Sequence, residues 1–396
     1  PTPAPLWSRG LGDVYKRHDK DYLENRSNEI GKKIESLESE IIDLAGEEFN
    51  LNSSQQLAVI LFDKLKLPMI KKRSTAEAVL SELKDKHPLP ELILSYRKLY
   101  KLKNTYLDPL PSYIISDTQR VHSSFNQTMT ATGRLSTSSP NFQNIPIRTE
   151  DGKEIRKAIK AQSNEYQIFS ADYSQVELRV MAHLSGDVSL ISALNNGEDI
   201  HTFTAKNIFN VDNDDMVLPE MRRIAKIVNF GIMYGAGPFR LSQELDIPFG
   251  EAKQIKDAYF NKYKGIEEYI ENSKLQIKET KSVETLLGRK RAVWDSDSQN
   301  KIRRDAAERM AINMPIQGTA AEMIKLAMIK IHRQMNKENL KSKLIMQIHD
   351  ELLLEVHQDE IDYISKMVIE HMRDAMKLDV PIEIDFGVGP SWYEAH

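Results

Sequence analysis

The sequence predicts an α+β fold in which helix-rich segments flank a small sheet built from separate parts of the chain. Apolar residues recur at three- and four-residue spacing from Asp19 to about Tyr106, which is typical of amphipathic helices. Short apolar strand candidates, YIIS and YQIFSADYS, alternate with polar turns in residues 112–185. Residues 186–330 return to helical spacing, and β runs follow in KLIMQIHDELLLEV and VPIEIDFGVG.

Composition sets limits on the class of protein. The chain has 396 residues, of which 40% are hydrophobic and 28% are charged, as is ordinary for a soluble globular protein of two or three structural units. It contains no cysteine, which excludes disulfides and cysteine-based zinc sites and fits a reducing cytoplasm. The sequence has neither an apolar stretch near the ~20 residues of a membrane span nor the pattern of a signal peptide.

The net charge of −4 leaves nucleic-acid binding open. Proteins that bind nucleic acid are often basic, and Lys and Arg are clustered locally here, within residues 64–73, 97–103 and 289–291. Each cluster taken alone is also explained as a solvated face. Because a metal site needs carboxylates, weak overall acidity does not count against one.

The N-terminal part is predicted to be helical after an atypical start. Residues 1–18 are rich in Pro, Gly and Arg and lack periodicity, and we interpret them as a non-native or disordered segment of a truncated chain. A cap-like break at residues 50–53 precedes the helix QQLAVILFDKL, and the run PELILSYRKLYKLKNTYL ends at Pro109 and Pro111. Helices with basic faces are suited to contact a nucleic-acid backbone, and they are equally typical of any helical bundle.

An irregular segment rich in hydrogen-bond donors is the first candidate site. It is TATGRLSTSSPNFQNIPIR, in which Arg134, Gln143, Asn144 and Arg148 supply the donors. Polar donors held on a loop suit phosphates and base edges. A surface turn explains the same Gly, Ser, Pro and Asn content equally well.

The second candidate is the segment SADYSQVELR. An apolar run leads into Asp172, and VELRVMAHL then has helical spacing, which places Asp172 at the end of a strand. A carboxylate at a strand end can face substrate, and Glu177 lies five residues further on. The alternative is that Asp172 caps the helix and that Glu177 is a solvated side chain.

The third candidate is the helix MRRIAKIVNFGIMYG. Arg222, Lys226, Phe230 and Tyr234 follow one another at four-residue steps, so they form a slowly winding stripe on one helix face. Basic residues at one end and aromatic rings at the other match a nucleotide laid along the helix. A stripe of this kind is also typical of a mixed core and surface face.

The fourth candidate is the bend in MQIHDELLLEV. His349, Asp350 and Glu351 interrupt two runs of strong β formers, and packing does not explain three adjacent polar residues there. Phosphoryl transfer offers an explanation, because two divalent ions about 3.5–4 Å apart must be bridged by carboxylates. One aspartate from each of two neighbouring strands is sufficient, since Mg²⁺ keeps water and substrate phosphates as its other ligands.

Taken together and in this order, the four segments resemble the signature of family A DNA polymerases. DYSQVELR resembles their motif A, the Arg-x-x-x-Lys helix motif B and HDE motif C, while TGRLSTSSPNFQNIP resembles a block that contacts the primer. The resemblance extends from about Asp19 to the C-terminus. It implies a right-hand polymerase with an antiparallel-sheet palm and mainly helical thumb and fingers. The expected domains are the thumb at 19–110, the palm at 111–185 and 306–396, and the fingers at 186–305.

The resemblance implies template-directed DNA synthesis by a DNA-directed DNA polymerase. The primer 3′-hydroxyl would attack the α-phosphate of a deoxynucleotide and release pyrophosphate. Asp172 and Asp350 would bind two Mg²⁺ ions, with Mn²⁺ as a substitute and the Tyr173 backbone carbonyl as a further ligand. Glu351 would be a nearby carboxylate of lesser importance, and Lys226 would complete the catalytic set.

The resemblance also assigns binding residues. Glu177 would exclude a ribose 2′-hydroxyl, Phe230 would stack beside the sugar and disfavour dideoxynucleotides, and Tyr234 would lie near the template base. The full set expected at the nucleotide is Arg222, Lys226, Phe230, Tyr234, His201, Gln175 and Glu177. The full set expected at the primer–template is Arg134, Gln143, Asn144, Arg309, Asn313, Gln317 and His349.

The remaining expectations concern partners and rivals. The chain contains no Asp-x-Glu motif, so we expect neither a proofreading exonuclease nor a 5′-nuclease in it. We expect a monomer that binds primer–template DNA and deoxynucleoside triphosphates, not a membrane, in the cytoplasm of a bacterial or phage-infected cell and associated with the nucleoid. A single-subunit RNA polymerase is disfavoured by Glu177 and Phe230. A non-catalytic nucleic-acid-binding protein is disfavoured by the intact Asp172, Asp350 and Lys226.

Overall fold

The computed structural model describes residues 16–146 and 149–396. Arg148, one of the donors predicted from sequence, therefore lies outside the described residues. The chain divides into two compact units. Unit 1 contains the described residues up to Ser124, Ser138–Ile168 and Val388–His396, and unit 2 contains Phe125–Thr137 and Phe169–Gly387.

Long helices and small antiparallel sheets make this an α+β fold, as the sequence predicts. The helices are α1 Lys20–Ala45, α2 Ser54–Ala58, α3 Glu77–Leu83, α4 Pro88–Leu102, α5 Glu150–Lys153, α6 Val176–Ser185, α7 Val188–Asn195, α8 Ile200–Phe209, α9 Pro219–Met233, α10 Pro238–Leu245, α11 Phe249–Lys262, α12 Lys264–Thr280, α13 Lys301–Lys337, α14 Ile361–Arg373 and α15 Trp392–Ala395. The strands are β1 Lys16–His18, β2 Ile114–Ile115, β3 Arg120–Val121, β4 Ser124–Asn126, β5 Ser136–Ser138, β6 Ile159–Lys160, β7 Tyr166–Tyr173, β8 Ser282–Glu284, β9 Lys290–Ala292, β10 Lys343–Ile348, β11 Glu351–His357 and β12 Ile384–Gly389.

Unit 1 begins earlier than the sequence indicates. Strand β1 belongs to the segment set aside as non-native or disordered, yet it pairs antiparallel with β3 and β6. His18 is buried, and its ring lies 5.4 Å from that of Phe142. Periodicity cannot identify a three-residue strand, because its position depends on partners more than one hundred residues away in the chain.

The helical prediction for the N-terminal part holds in unit 1. Asp19 caps α1 by accepting a hydrogen bond from the Tyr22 amide, and Gly46 ends the helix in the left-handed conformation. Ser53 caps α2 at the predicted break. Helix α4 begins at Pro88, where the fixed φ of proline suits the first turn.

Unit 2 contains most of a four-stranded sheet in the order β10-β11-β7-β12. Strands β10 and β11 form an antiparallel hairpin in which Ile348 pairs with Glu351, so His349 and Asp350 make its turn. His349 has a positive φ of 51°. The strand and the two β runs predicted around Asp172 and Asp350 are thus confirmed.

A second hairpin, β8–β9, packs against the long helices of unit 2. Val283 and Val293 lie in one buried cluster with Ile277 of α12 and Ala311 of α13. Gly318 allows a close approach, because a β-carbon there would lie 2.5 Å from Cγ2 of Thr285. No helix in the described part of the chain is both long enough and apolar enough to cross a membrane.

We predict that Gly318→Ala destabilises the protein even though alanine favours helices. Its methyl group would overlap the Thr285 side chain, whose hydroxyl accepts a hydrogen bond from the Arg289 amide. Overpacking of this kind costs about 1–3 kcal/mol, whereas the helix-propensity gain is about 1 kcal/mol. Urea denaturation should therefore show a lower free energy of unfolding.

The matched control is Gly250→Ala in α11, where a β-carbon meets no atom within 4 Å. Its free energy of unfolding should be unchanged or slightly raised. Equal stability of the two variants would contradict the close approach at Gly318.

Candidate active site

The end of β7 and the β10–β11 turn bring two aspartates together in unit 2. The Tyr173 amide donates a hydrogen bond of 3.3 Å to the backbone carbonyl of Asp350. Asp172, immediately before Tyr173, therefore lies at the same end of the sheet as Asp350. Burial raises the pKa of the Asp350 carboxyl, and the positive charge of Arg134, 3.9 Å away, opposes that rise.

These residues fit a magnesium site by their donor chemistry. No group of three or more Asp, Glu or His side chains suited to a metal was found in residues 16–146 and 149–396. Two carboxylates are sufficient for Mg²⁺, which keeps several other oxygen ligands. Asp350 is half-buried, and its raised pKa means that its charged form lacks compensating positive charge. A divalent cation would supply that charge.

Glu351 lies on the sheet beside Asp172. Its Oε1 accepts a hydrogen bond of 2.6 Å from the Ser170 hydroxyl, and both side chains are buried. Because alternate residues of a strand share a face, Ser170 and Asp172 point to the same side of β7. Glu351 thus links β11 to β7 on the face that carries Asp172.

Glu177 is the buried centre of a polar network. The Arg134 guanidinium donates to one carboxylate oxygen of Glu177, and the Tyr234 hydroxyl donates to the other at 2.5 Å. Glu177 is only 6% exposed, so the alternative that it is a solvated side chain is wrong. Burial raises the pKa of its carboxyl, while the hydrogen bond from Tyr234 and the charge of Arg134 lower it.

Helix α9 presents the predicted stripe to solvent at its basic end. Arg222 and Lys226 are exposed, and Phe230 is half-buried. The buried side of α9 carries Ala225 and Val228 among others. Tyr234 follows the last helical residue, and its ring stacks on that of Phe230 with the centroids 6.4 Å apart. The stripe is therefore distinct from the core face of the helix.

Helix α8 lies beside this stripe and contributes His201. The His201 ring is 5.7 Å from that of Phe230, and its Nδ1 lies 3.1 Å from the Asn229 amide nitrogen. Burial lowers the pKa of His201 to about 4; the charge of Asp199 opposes this shift, and the charges of Arg222 and Lys226 add to it. His201 is neutral near pH 7 and so can offer a hydrogen bond but no charge to a phosphate.

Sequence reasoning missed Asp199, which precedes α8. Its carboxylate contacts the Arg222 guanidinium at two positions, 2.7 Å and 3.2 Å. Asp199 also caps α8 by accepting the Thr202 amide hydrogen. An aspartate before a helix is a recognisable cap signal, but its ion pair with a residue 23 positions away is not visible in the sequence.

The residues predicted to bind DNA fall in several places. Arg309, Asn313 and Gln317 lie at four-residue steps on one face of α13. His349 is exposed in the β10–β11 turn. Gln175, which was predicted to contact the nucleotide, has a positive φ of 50° and precedes α6.

The other predicted donors belong to different units. Gln143 and Asn144 lie in the short 3₁₀ turn Phe142–Asn144 of unit 1, where the Asn144 carbonyl accepts a hydrogen bond from Tyr106. Arg134 belongs to unit 2. The loop predicted from sequence is therefore divided between the two units.

Two side-chain oxygens in these segments are buried without a hydrogen-bond partner among the described residues. They are the Oδ1 of Asn313 and the Oε1 of Gln347. Buried polar atoms are rarely left unpaired. Gln347, which stands two residues before the turn and donates to the His349 carbonyl, was not predicted from sequence because it lies within a β run.

Comparisons with known proteins agree over nearly the whole chain. Residues 20–394 match the family described as DNA polymerase family A. DNA polymerase I of Bacillus subtilis (strain 168) is 46% identical over 381 residues, which are 95% of this chain and 43% of that protein. The thermostable DNA polymerase I of Thermus filiformis is 49% identical in an alignment of 398 positions, which covers 99% of this chain and 47% of that protein.

A solved structure is also similar. It is described as the POL domain of Pol1 from M. smegmatis in complex with DNA primer-template and dNTP. It matches with a TM-score of 0.93 and 40% sequence identity, covering 98% of this chain and 69% of that chain. The chain spans less than half the length of the two curated relatives.

We predict that His201 makes the protein less stable as the pH falls. Its pKa is about 4 in the folded chain, against 6.5 for an unperturbed histidine side chain. Between these pH values the unfolded chain binds a proton that the folded chain does not, so the free energy of unfolding falls with falling pH. Between pH 7 and pH 5 the loss from this group is about 2 kcal/mol.

The measurement is urea denaturation at both pH values for the wild type and His201→Gln. The variant should lose about 2 kcal/mol less than the wild type between pH 7 and pH 5. His396→Gln, at the exposed C-terminus, is the matched control and should behave like the wild type. An identical pH response of His201→Gln and the wild type would contradict the lowered pKa.

Proposed function

The chain belongs to DNA polymerase family A, and from this we propose that it catalyses template-directed DNA synthesis. In the proposed reaction the 3′-hydroxyl of a primer attacks the α-phosphate of a deoxynucleoside triphosphate, and pyrophosphate leaves. The observation that carries the proposal is the convergence of Asp172 and Asp350 at one end of the sheet, beside the Arg134–Glu177–Tyr234 network. Catalysis of this kind depends mainly on positioning and charge stabilisation.

We propose that Asp172, Asp350 and the Tyr173 carbonyl hold two Mg²⁺ ions. When bound, the metal ions would make the primer hydroxyl more acidic and stabilise the charge on the departing pyrophosphate. Asp172 and Asp350 would hold that positive charge close to the reacting oxygens. Glu351 keeps β11 and β7 together through Ser170, which favours a supporting role for it.

For the nucleotide, we propose that the stripe on α9 binds the triphosphate and the sugar. Arg222 and Lys226 lie one turn apart and are exposed, so their charges can bind the phosphates. Phe230 would pack beside the sugar, with the neutral His201 next to it. Gln175 would lie close to the same nucleotide.

Glu177 is proposed to exclude ribonucleotides. Its two oxygens are fixed by Arg134 and Tyr234, so the carboxylate cannot move aside without breaking both hydrogen bonds. A rigid group of this kind rejects a 2′-hydroxyl by steric exclusion. Tyr234 would stack near the template base.

For the DNA, we propose that the primer–template contacts polar side chains on α13 and on the segment 134–144. The stripe Arg309, Asn313 and Gln317 on α13 can reach minor-groove acceptors, which occur in all four base pairs and so do not specify sequence. The solved structure from M. smegmatis is described as a complex with DNA primer-template and dNTP, which supports these partners. The remaining proposed contacts are Arg134, Gln143, Asn144 and His349.

The proposed architecture is a right hand. Strands β7, β10 and β11 fall within the palm ranges 111–185 and 306–396. Helices α8 and α9 fall within the fingers range 186–305, and α1 to α4 fall within the thumb range 19–110. The match to a polymerase domain at a TM-score of 0.93 supports this assignment.

Two other functions are tested by the same assay. A single-subunit RNA polymerase would extend a primer with ribonucleotides and not with deoxynucleotides. A nucleic-acid-binding protein without catalysis would bind primer–template and extend it with neither. Extension of a labelled primer by deoxynucleotides, dependent on added Mg²⁺, is the result expected here.

We predict that Asp350→Asn lowers the incorporation rate by at least about 10³-fold. The amide keeps the shape of the side chain but removes the charge that binds the metal ions. DNA affinity should change little, because Asp350 is an acidic residue and does not attract the phosphate backbone. Single-turnover incorporation and a DNA-binding titration measure the two effects.

The matched control is Asp359→Asn, at an exposed carboxylate two residues after the end of β11. It should incorporate nucleotides at the wild-type rate. Undiminished incorporation by Asp350→Asn would contradict its role at the metal ions.

We predict that Glu177→Ala raises the ratio of ribonucleotide to deoxynucleotide incorporation by about tenfold or more, the ratio that about 1.4 kcal/mol of discrimination gives. The substitution removes the carboxylate that blocks the 2′-position. Competitive primer extension with paired nucleotides measures this ratio. Glu220→Ala, at an exposed carboxylate on α9, is the control, and an unchanged ratio in Glu177→Ala would refute the exclusion mechanism.

A further inference from the structure

Arg222 is already bound to a carboxylate in this structure. Its Nη2 lies 2.7 Å from Oδ2 of Asp199, and its Nε lies 3.2 Å from Oδ1. This fork uses the Nε–Nη2 edge of the guanidinium, a pair of donors that could otherwise bind a phosphate. The pair is accessible, with the Arg222 side chain 47% exposed and that of Asp199 38% exposed.

Asp199 is held in place from the other side. Its Oδ1 accepts the Thr202 amide hydrogen at 2.6 Å and so caps α8. Burial alone would raise the pKa of Asp199, but the hydrogen bonds from Arg222 and Thr202 and the charge of Arg222 lower it to about 2. Because the carboxylate is charged and anchored, a phosphate that binds the Nε–Nη2 edge of Arg222 must displace Asp199 from that edge.

Lys226 differs from Arg222 in this respect. It lies one turn further along α9, is exposed, and forms no ion pair within residues 16–146 and 149–396. The neighbouring Arg223 pairs with Glu220 of the same helix at 2.6 Å, so an arginine with an acidic partner is not by itself unusual here. What distinguishes Asp199 is that its partner lies on the stripe that would face the triphosphate.

We propose that Asp199 is a positioning residue that competes with the triphosphate for Arg222 and thereby sets the affinity for the incoming nucleotide. The inference rests on the proposed function of the stripe. Both a triphosphate and a departing pyrophosphate are polyanions, so the same competition weakens the binding of each. Asp199 therefore keeps nucleotide binding moderate and favours release of the product.

The first test is Asp199→Asn in the full chain. Asparagine keeps the oxygen that caps α8 but removes the charge that holds Arg222. Isothermal titration with inorganic tripolyphosphate, without DNA, should give a Kd about three- to fivefold lower than for the wild type, the range that a half-exposed ion pair allows. In primer extension the KM for a deoxynucleotide should fall by a similar factor, while kcat is not raised.

Two variants serve as controls. Glu220→Gln breaks the neighbouring pair with Arg223 and should leave both constants within about 1.5-fold of the wild type, since that pair lies off the stripe. In an Arg222→Ala background, Asp199→Asn should change the Kd for tripolyphosphate by no more than about 1.5-fold. Asp199→Ser, which also caps helices, should repeat the result of Asp199→Asn if the latter folds poorly.

An unchanged or raised Kd in a folded Asp199 variant would overturn the proposal, because Asp199 would then orient Arg222 for the phosphate or have no effect on it. The same holds if Asp199→Asn tightens binding equally without Arg222. If the wild-type chain extends no primer, the proposed function fails. The tripolyphosphate titration still decides the role of Asp199 in that case.

Discussion

The hydrogen bond from the Tyr173 amide to the Asp350 carbonyl joins the end of β7 to the turn between β10 and β11. This link, the pairing of β11 with β7 in the sheet and the hydrogen bond from Ser170 to Glu351 hold the two aspartates at one end of the sheet. The proposed contacts with metal, nucleotide and primer all depend on this arrangement of the two aspartates.

Burial determines the electrostatics around the two aspartates. Glu177 and Asp350 both lie in a part of unit 2 that raises the pKa of a carboxyl, and Arg134 is the nearby cation whose charge opposes that effect at each of them. In a low-dielectric environment a deficit of positive charge is costly. The uncompensated negative charge therefore favours the binding of cations at this site. A reaction that uses two metal ions needs such a site.

A buried polar cluster beside the stripe helps to fix the orientation of α9. The Thr204 hydroxyl lies 2.8 Å from the Tyr263 hydroxyl and 3.2 Å from Oδ1 of Asn229, and Asn229 also contacts His201. These directional contacts limit rotation of α9 about its axis more than apolar packing alone would. Arg222, Lys226 and Phe230 consequently keep their orientation.

The sequence alone determined the local elements, because strands and helices follow from periodicity and turn chemistry within short windows. It located β7, the His349–Asp350 turn and α9, and the family resemblance named Asp172 and Asp350. Only the tertiary structure decided that Glu177 is buried between Arg134 and Tyr234, which are 43 and 57 residues away from it. It alone placed β1 in a sheet and paired Asp199 with Arg222. Such contacts depend on how distant elements pack, and no local pattern encodes that packing.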